Sequence, residues 1–225
     1  MDLSGFFTRT DLPPDELAHQ DSVYGDLTQA VRELADAQLR TLVDLDEVAD
    51  VASAVRDLTA RLLKDARPGP FGVLVDSKGV VRNHGNTVVG RRNPMAMAVG
   101  PDAIVWNDNG ATASMHLGPL CEGPPGHVHG GVLALVIDQL FGEAAAAAGA
   151  AGMTGRLTLS YRRPTPLGDV SMEAWVETAG EIKTIVKGHL KDAEGNITVE
   201  AEGLFILPKF ARDNSEWPRR KRTFE

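Results

Sequence analysis

The chain has 225 residues, 43% of them hydrophobic, which suits one domain with an extension or two small domains. Its only cysteine, Cys121, excludes an intrachain disulfide. No run of eighteen apolar residues occurs, and the first residues lack a basic segment followed by a long apolar one. We therefore expect no membrane span, no secretory signal and a cytoplasmic location.

The net charge of −8 is unevenly distributed along the chain. Residues 1–65 hold 14 Asp and Glu against 6 Lys and Arg, whereas the other 160 residues hold 17 of each. The acidity therefore belongs to the N-terminal part. A chain without a basic surface is not expected to have nucleic acid as its main partner.

Residues 1–13 are predicted to be a loose arm, and residues 16–64 to form two amphipathic helices with a break around residues 41–46. Apolar side chains recur at three- and four-residue spacing in both helices; they are Leu17, Tyr24, Leu27, Val31, Leu34, Val48, Val51, Val55, Leu58 and Leu62. We expect these stripes to pack against the main domain or a partner subunit. A separate binding module is the alternative.

The Arg-Pro-Gly-Pro run at residues 67–70 predicts a boundary between an N-terminal extension and the main domain. Residues 1–69 are then an acidic helical N-terminal extension, residues 70–208 the main domain, and residues 209–225 a basic C-terminal tail. Short strands are predicted at residues 73–75 and 80–81, with a turn between them and an irregular connection over residues 85–100. The basic run at 219–222 is predicted to be a solvated terminus rather than a nucleic-acid or membrane patch.

From residue 103 onwards the apolar pattern changes to a period of two, which is typical of strands. Strands are predicted at residues 103–106 and 111–117, joined by a hairpin turn at 107–110. Four more are predicted at residues 155–163, 169–178, 182–191 and 196–207. One long apolar helix, from about residue 130 to 151, lies between the two sets. The fold class is therefore α+β, with a buried helix among about six antiparallel strands.

The start of that helix is a candidate site. Pro124, Pro125 and Gly126 keep the approach irregular, and Gly130 and Gly131 allow another group to come close to the backbone. The helix is apolar nearly all round except for Asp138, and a buried carboxylate is costly unless it is paired or used. Backbone N–H groups at a helix start together with one acid indicate an active site.

Three other interpretations of this region come from single residues. Asp138 alone is as compatible with a structural acid as with a catalytic one. His127 and His129 have the spacing of a metal pair on a strand, but no third ligand lies at a convincing distance, so we predict no metal. Cys121 is expected to be a small buried residue rather than a nucleophile.

Two blocks carry a resemblance to a known family. Residues 122–131, with Asp138 nine residues after His129, and residues 153–168 are together similar to hotdog-fold acyl-CoA thioesterases, within them the PaaI-like / THEM4-like group. The resemblance covers about residues 73–207. It implies a hotdog fold, an antiparallel sheet wrapped round a central helix and continued into a second copy. It also implies hydrolysis of an acyl-CoA substrate by a homo-oligomer, a dimer or a dimer of dimers, without a cofactor.

Helix geometry favours a site made by two chains. Nine residues correspond to 2.5 turns, so His129 and Asp138 lie on opposite faces, about 13 Å apart along the axis. Two antiparallel helices at a two-fold interface would bring His129 and Gly130 of one chain opposite Asp138 of the other.

The resemblance also implies roles for individual residues. The N–H of Gly130 would bind the thioester carbonyl and its oxyanion, and Asp138 would act as general base or as nucleophile. His129 would orient the loop or touch the thioester, and Thr154 would hold the water or the carboxylate. The implied substrate-binding residues are Gly131, His127, Arg162 and Arg163, the two arginines as alternative contacts for the phosphates of coenzyme A.

One position departs from the family pattern. Some relatives have an asparagine six residues before the histidine, where this chain has Gly123. The hydrogen bond that orients the histidine is then expected from His127 or from a backbone group.

Two rival functions remain at this point. A non-hydrolytic acyl-thioester binding protein would use the same pocket. A hotdog hydratase or dehydratase is disfavoured, because that chemistry needs the Asp and His to act together on one loop–helix segment.

Overall fold

The computed structural model describes residues 7–69, 72–77, 81–98 and 103–212. These residues form two compact units. The first takes in the described residues up to 86 together with 90–94, and the second takes in 87–89 and the described residues from 95 onwards.

Two helices dominate the first unit, as predicted. Helix α1 spans Pro14–Arg40 and helix α2 spans Leu45–Leu62. The break between them ends at Asp44, whose carboxylate accepts a hydrogen bond of 2.9 Å from the backbone N–H of Glu47. Such a cap satisfies one of the N–H groups that a helix start leaves without an acceptor. Leu17, Asp21 and Thr28 are the buried residues of α1, whereas α2 has none.

A small sheet completes the first unit. It contains strands β1 (Phe7–Arg9), β2 (Val73–Val75) and β3 (Val81–Arg82), with β1 parallel and β3 antiparallel to β2. Part of the expected loose arm is therefore a strand, because β2 offers its backbone groups to it. The predicted boundary at residues 69/70 falls inside this unit. Val80 and the second half of the predicted turn lie outside the described residues.

A cluster of charged side chains is buried in the first unit. Arg82 donates to Asp21 at 2.6 Å and to Asp76 at 3.5 Å, and His84 Nε2 lies 3.5 Å from Asp21 Oδ1. Burial lowers the pKa of His84, with a further contribution from Arg92, and the carboxylate of Asp21 opposes both. Burial dominates because a charged imidazole loses its hydration there.

The second unit is built on one antiparallel sheet of six strands, in the order β4-β5-β7-β8-β9-β6. Their bounds are β4 Ile104–Asn107, β5 Gly110–Leu117, β6 Met153–Tyr161, β7 Gly168–Ala179, β8 Lys183–Lys191 and β9 Ile197–Ile206. All six strands of the prediction are present, and the α+β class is confirmed. Strand β6 forms one edge of the sheet and carries mostly exposed or half-buried residues.

Helix α3 (Gly130–Ala147) packs across this sheet and supplies much of its core. The ring of Phe141, 1% exposed, lies directly over Gly188 and Gly203 of the sheet. A Cβ at either glycine would come within 2.8 Å of a ring carbon, so only glycine admits the ring there. Burial of such a side chain contributes about 1.5–3 kcal/mol. The contact also fixes which face of α3 points away from the sheet.

Length and composition alone would allow α3 to cross a membrane, with a mean hydropathy of 1.4 over 18 residues. Its buried side chains pack on the sheet instead, as those of core helices do. A short helix, α4 (Lys209–Arg212), follows the last strand, and the rest of the predicted basic tail lies outside the described residues.

The buried His84 predicts a pH-dependent stability for the first unit. A histidine whose pKa is lowered by folding stabilises the fold fully above its unfolded pKa of about 6.5, and this contribution is lost as the pH falls below that value. We expect the free energy of unfolding in urea to decrease from pH 7.5 to pH 5.5, and the decrease to be smaller in His84→Gln. The exposed His19→Gln is the matched control. An equal decrease in His84→Gln and the unsubstituted chain would contradict the assignment.

Candidate active site

The segment before α3 is an ordered loop held by backbone hydrogen bonds. A single 3₁₀ turn at Pro119–Cys121 precedes it. The N–H of Gly123 donates to the carbonyl of His127, and the N–H of Val128 donates to that of Thr165, both at 2.9 Å. Gly126 has a φ of 73°, a left-handed conformation that glycine adopts without strain. The loop therefore delivers His129 to a fixed place at the helix start.

His129 is the N-cap of α3 and organises its first turn. Its own N–H donates to the carbonyl of Cys121 at 2.8 Å, the N–H of Gly131 donates to His129 Nδ1 at 2.9 Å, and the N–H of Val132 donates to the His129 carbonyl at 2.9 Å. A helix start has four N–H groups without helical acceptors. Within the described part of the chain, the N–H of Gly130 is the one of these four that no acceptor takes.

The hydrogen bond from Gly131 also decides the tautomer of His129. Because Nδ1 accepts a backbone N–H, it carries no proton, so the neutral ring carries its proton on Nε2. The imidazole is exposed in the chain, so its Nε2–H is accessible to an acceptor from outside the chain.

Gly123, at the position where some relatives have an asparagine, packs directly against His129. A Cβ at Gly123 would lie 2.7 Å from His129 Cα, so this backbone path admits no side chain there. Of the two expected sources of the orienting hydrogen bond, the backbone is the one found, through the N–H of Gly131. His127 instead donates from Nδ1 to the carbonyl of Pro125 at 2.8 Å.

Tyr161 is a site residue that the sequence analysis did not single out. Its hydroxyl donates to the carbonyl of Gly130 at 2.8 Å. A Cβ added at Gly130 would lie 3.3 Å from the hydroxyl oxygen of Tyr161. The phenol therefore fixes the peptide that follows Gly130. Tyr161 belongs to residues 153–168, the second block that resembles the family. It lies 31 residues after Gly130 in the sequence, so no local sequence pattern indicates that the two residues are in contact.

Asp138 and Thr154 are brought together on the other side of α3. The hydroxyl of Thr154 donates to Asp138 Oδ1 at 2.8 Å. In the single chain Asp138 is half-buried, not buried as the apolar helix pattern predicted, because it lies beside the exposed edge strand β6 and not over the centre of the sheet. Helix geometry separates Asp138 from His129 by about 13 Å along the axis. Within one chain these two groups therefore lie apart.

Arg162 and Arg163, which follow β6, differ in the hydrogen bonds that their guanidinium groups make. Arg162 makes an ion pair with Glu200, with a nitrogen–oxygen distance of 2.6 Å. The described residues include no hydrogen-bond partner for the exposed guanidinium of Arg163, whose charge helps to lower the pKa of Asp192. Its hydrogen-bond donors are therefore less engaged than those of Arg162.

Cys121 has the properties of a packing residue. It is 8% exposed, its sulfur lies 3.9 Å from that of Met97, and burial raises the pKa of its thiol. A raised pKa disfavours the thiolate that nucleophilic catalysis requires. Within the described ranges, no group of three His, Cys, Asp or Glu residues is arranged to hold a metal ion.

Comparison with known proteins places this site in a family context. Residues 125–199 match a family model described as the thioesterase superfamily. Acyl-coenzyme A thioesterase THEM4 of Xenopus laevis is 36% identical over 91 residues, 40% of this chain and 41% of that protein. The protein of the same name from Bos taurus is 29% identical over 113 residues, 48% of this chain and 46% of that protein. The chain spans less than half the length of these curated relatives.

A solved structure extends the likeness to most of the chain. The crystal structure of a protein described as a thioesterase superfamily protein is 29% identical, with a TM-score of 0.71. The match covers 89% of this chain and 98% of that one. The resemblance to hotdog-fold thioesterases and the predicted fold class are both confirmed.

Proposed function

We propose, from the match of residues 125–199 to the thioesterase superfamily model and from the hotdog-like fold of the α3-containing domain, that the protein hydrolyses acyl-coenzyme A thioesters to a free acid and coenzyme A. The unused N–H of Gly130, beside satisfied N–H groups on both sides, is the observation that carries the proposal. A donor held in place without an acceptor suits an oxygen that develops negative charge. The names of the THEM4 relatives support the same substrate class.

The complete site needs two copies of the chain. We propose a two-fold dimer in which the exposed edge of β6 pairs with its counterpart and the two α3 helices lie antiparallel. The half-buried face of α3, which includes Leu135 and Asp138, would be covered there. Each site would then combine His129 and Gly130 of one chain with Asp138 and Thr154 of the other. A dimer of dimers is compatible with this arrangement.

In the proposed site the thioester carbonyl oxygen accepts hydrogen bonds from the Gly130 N–H and from His129 Nε2–H. The positive end of the α3 dipole adds to both. As a water oxygen bonds to the carbonyl carbon, the electron pair of the C=O bond moves to the oxygen, and these donors stabilise the oxyanion more than the ground state. His127 and Gly131 support the loop around the bound thioester.

Asp138 takes the proton of the attacking water, and collapse of the oxyanion breaks the carbon–sulfur bond to release the thiolate of coenzyme A. The proton that Asp138 gained can then pass to that sulfur. Attack by Asp138 itself, followed by hydrolysis of the mixed anhydride, is the other route the carboxylate allows. Thr154 supports either route, because its hydroxyl holds Oδ1 and so orients Oδ2 as the oxygen that would meet the water or the carbonyl carbon. Arg163, rather than the paired Arg162, is proposed to bind a phosphate of coenzyme A.

Gly130 allows a matched test of the oxyanion donor. Proline is tolerated at the first position of a helix and replaces the N–H with a ring carbon, whereas alanine adds the same Cβ as proline and keeps the N–H. The extended backbone of His129, with ψ of 132°, suits a following proline. We expect kcat of Gly130→Pro to fall about 10²–10³-fold relative to Gly130→Ala. Steady-state kinetics with acyl-CoA, with circular dichroism to check folding, make the comparison. Equal kcat in the two variants would contradict the role of this N–H.

Replacing Asp138 separates hydrolysis from binding. Asp138→Asn keeps the size of the side chain and its acceptor for Thr154 but removes the base, so we expect kcat to fall by at least about 10²-fold while acyl-CoA still binds. Hydrolysis is measured by thiol release and binding by calorimetry. Full activity of the variant over a broad acyl-CoA panel would refute the role of Asp138. Tight binding without turnover by the unsubstituted chain would select the non-hydrolytic binding protein instead.

A further inference from the structure

Helix α2 presents an apolar stripe that is exposed in the described part of the chain except at the half-buried Val55. The stripe consists of Val48, Val51, Val55, Leu58 and Leu62. Its members alternate at three- and four-residue spacing, the pattern of the a and d positions of a coiled coil. Val48 is 42% exposed, Leu58 53% and Leu62 58%, and no residue of α2 is buried.

An exposed stripe of this kind needs a partner. Most of the stability of an amphipathic helix in a protein comes from packing its apolar face, and the 18-residue α2 has no buried residue. The cap at Asp44 satisfies a backbone N–H at one end of α2 but does not bury the stripe. The charges that flank the stripe indicate which partner fits.

We propose that the stripe of α2 packs antiparallel against the same stripe in a second copy of the chain. In an antiparallel coiled coil, a positions face d positions, which brings Val48 level with Leu58 of the second copy and Val51 level with its Val55. The positions just before each a residue then face one another across the seam. These positions are Glu47, Ala54 and Arg61.

This register is self-complementary in charge. Glu47 of each copy faces Arg61 of the other, which gives two ion pairs related by the two-fold axis, and the small Ala54 lies opposite itself. In a parallel pair, Glu47 would face Ala52 and Arg61 would face Ala66, so no charge would be matched. Antiparallel packing also places opposite ends of the two helix dipoles together.

Helix α1 of a second copy fits α2 less well. Its exposed apolar stripe includes Tyr24, Leu27, Val31 and Leu34. The positions that flank this stripe are occupied by Val23, Thr28, Ala30 and Ala35, none of which carries a charge for Glu47 or Arg61. The self-pairing of α2 is therefore the arrangement that matches the charges together with four of the five stripe residues, Leu62 lying beyond them near Asp44 of the second copy. It makes the N-terminal extension an assembly element, independent of the thioesterase chemistry.

Site-directed cross-linking of the full-length chain tests this pairing. Ala54→Cys places a thiol near the two-fold axis, and a short bis-maleimide should join two chains. Cys121 is buried and its thiol pKa is raised, so the unsubstituted chain should give no product. Ala60→Cys is the control on the outer face of the same helix. Its two copies would lie about 20 Å apart along the axis in the antiparallel pair.

Charge variants in the Ala54→Cys background test the register. Glu47→Arg should remove most of the cross-linked product, because each Arg61 then faces another arginine. Asp46→Arg, an equal charge change in the same turn but off the seam, should leave the product unchanged. The double variant Glu47→Arg with Arg61→Glu should restore the cross-linked product, and Val55→Asp should abolish it.

Three results would each overturn the proposal. They are no cross-linked product at residue 54, equal product at residues 54 and 60, or an amount of product that does not change with the charge at residue 47.

Discussion

The first turn of α3 contains backbone N–H groups that have no acceptor within the helix, and the candidate site depends on which of them find an acceptor elsewhere. His129 provides two acceptors: its ring Nδ1 accepts from the N–H of Gly131, and its carbonyl accepts from the N–H of Val132. Gly130 is left with a donor that is held in place and unused. An N–H group in this state binds an external oxygen without first breaking an internal hydrogen bond, and it needs no reorganisation when charge develops.

The loop before α3, the edge strand β6 and the core under α3 together fix the position of the first turn of α3. The loop before His129 is fixed by backbone hydrogen bonds, and Gly123 lets the loop pass within contact of His129 Cα. Tyr161 anchors the next peptide from the edge strand. Phe141, seated on two glycines of the sheet, fixes the rotation of α3 about its axis. This rotation in turn sets the direction in which Asp138 points, towards Thr154 on the edge strand β6 and the proposed partner chain.

Local patterns were sufficient to predict the main elements. The period-two apolar pattern placed β7 at residues 169–178, and the strand is Gly168–Ala179. The glycine pair after His129 placed the start of α3, and helix arithmetic alone separated His129 from Asp138. Contacts between distant residues could not be predicted in this way. The bond from Tyr161 to Gly130 joins two elements with no shared local pattern. Strand β1 is only three residues long and exists through pairing with β2. The half-burial of Asp138 depends on which face of α3 the sheet covers.

The central claim is that each site takes its oxyanion donor from one chain and its carboxylate from another. Mixing two inactive variants, Gly130→Pro and Asp138→Asn, in equal amounts under conditions that exchange subunits tests this directly by acyl-CoA hydrolysis. If the halves come from different chains, random assortment pairs an intact loop with an intact Asp138 in about a quarter of the sites, so the mixture should regain about a quarter of the unsubstituted activity. If both halves act within one chain, no site is intact, and a mixture as inactive as its two components would contradict the account.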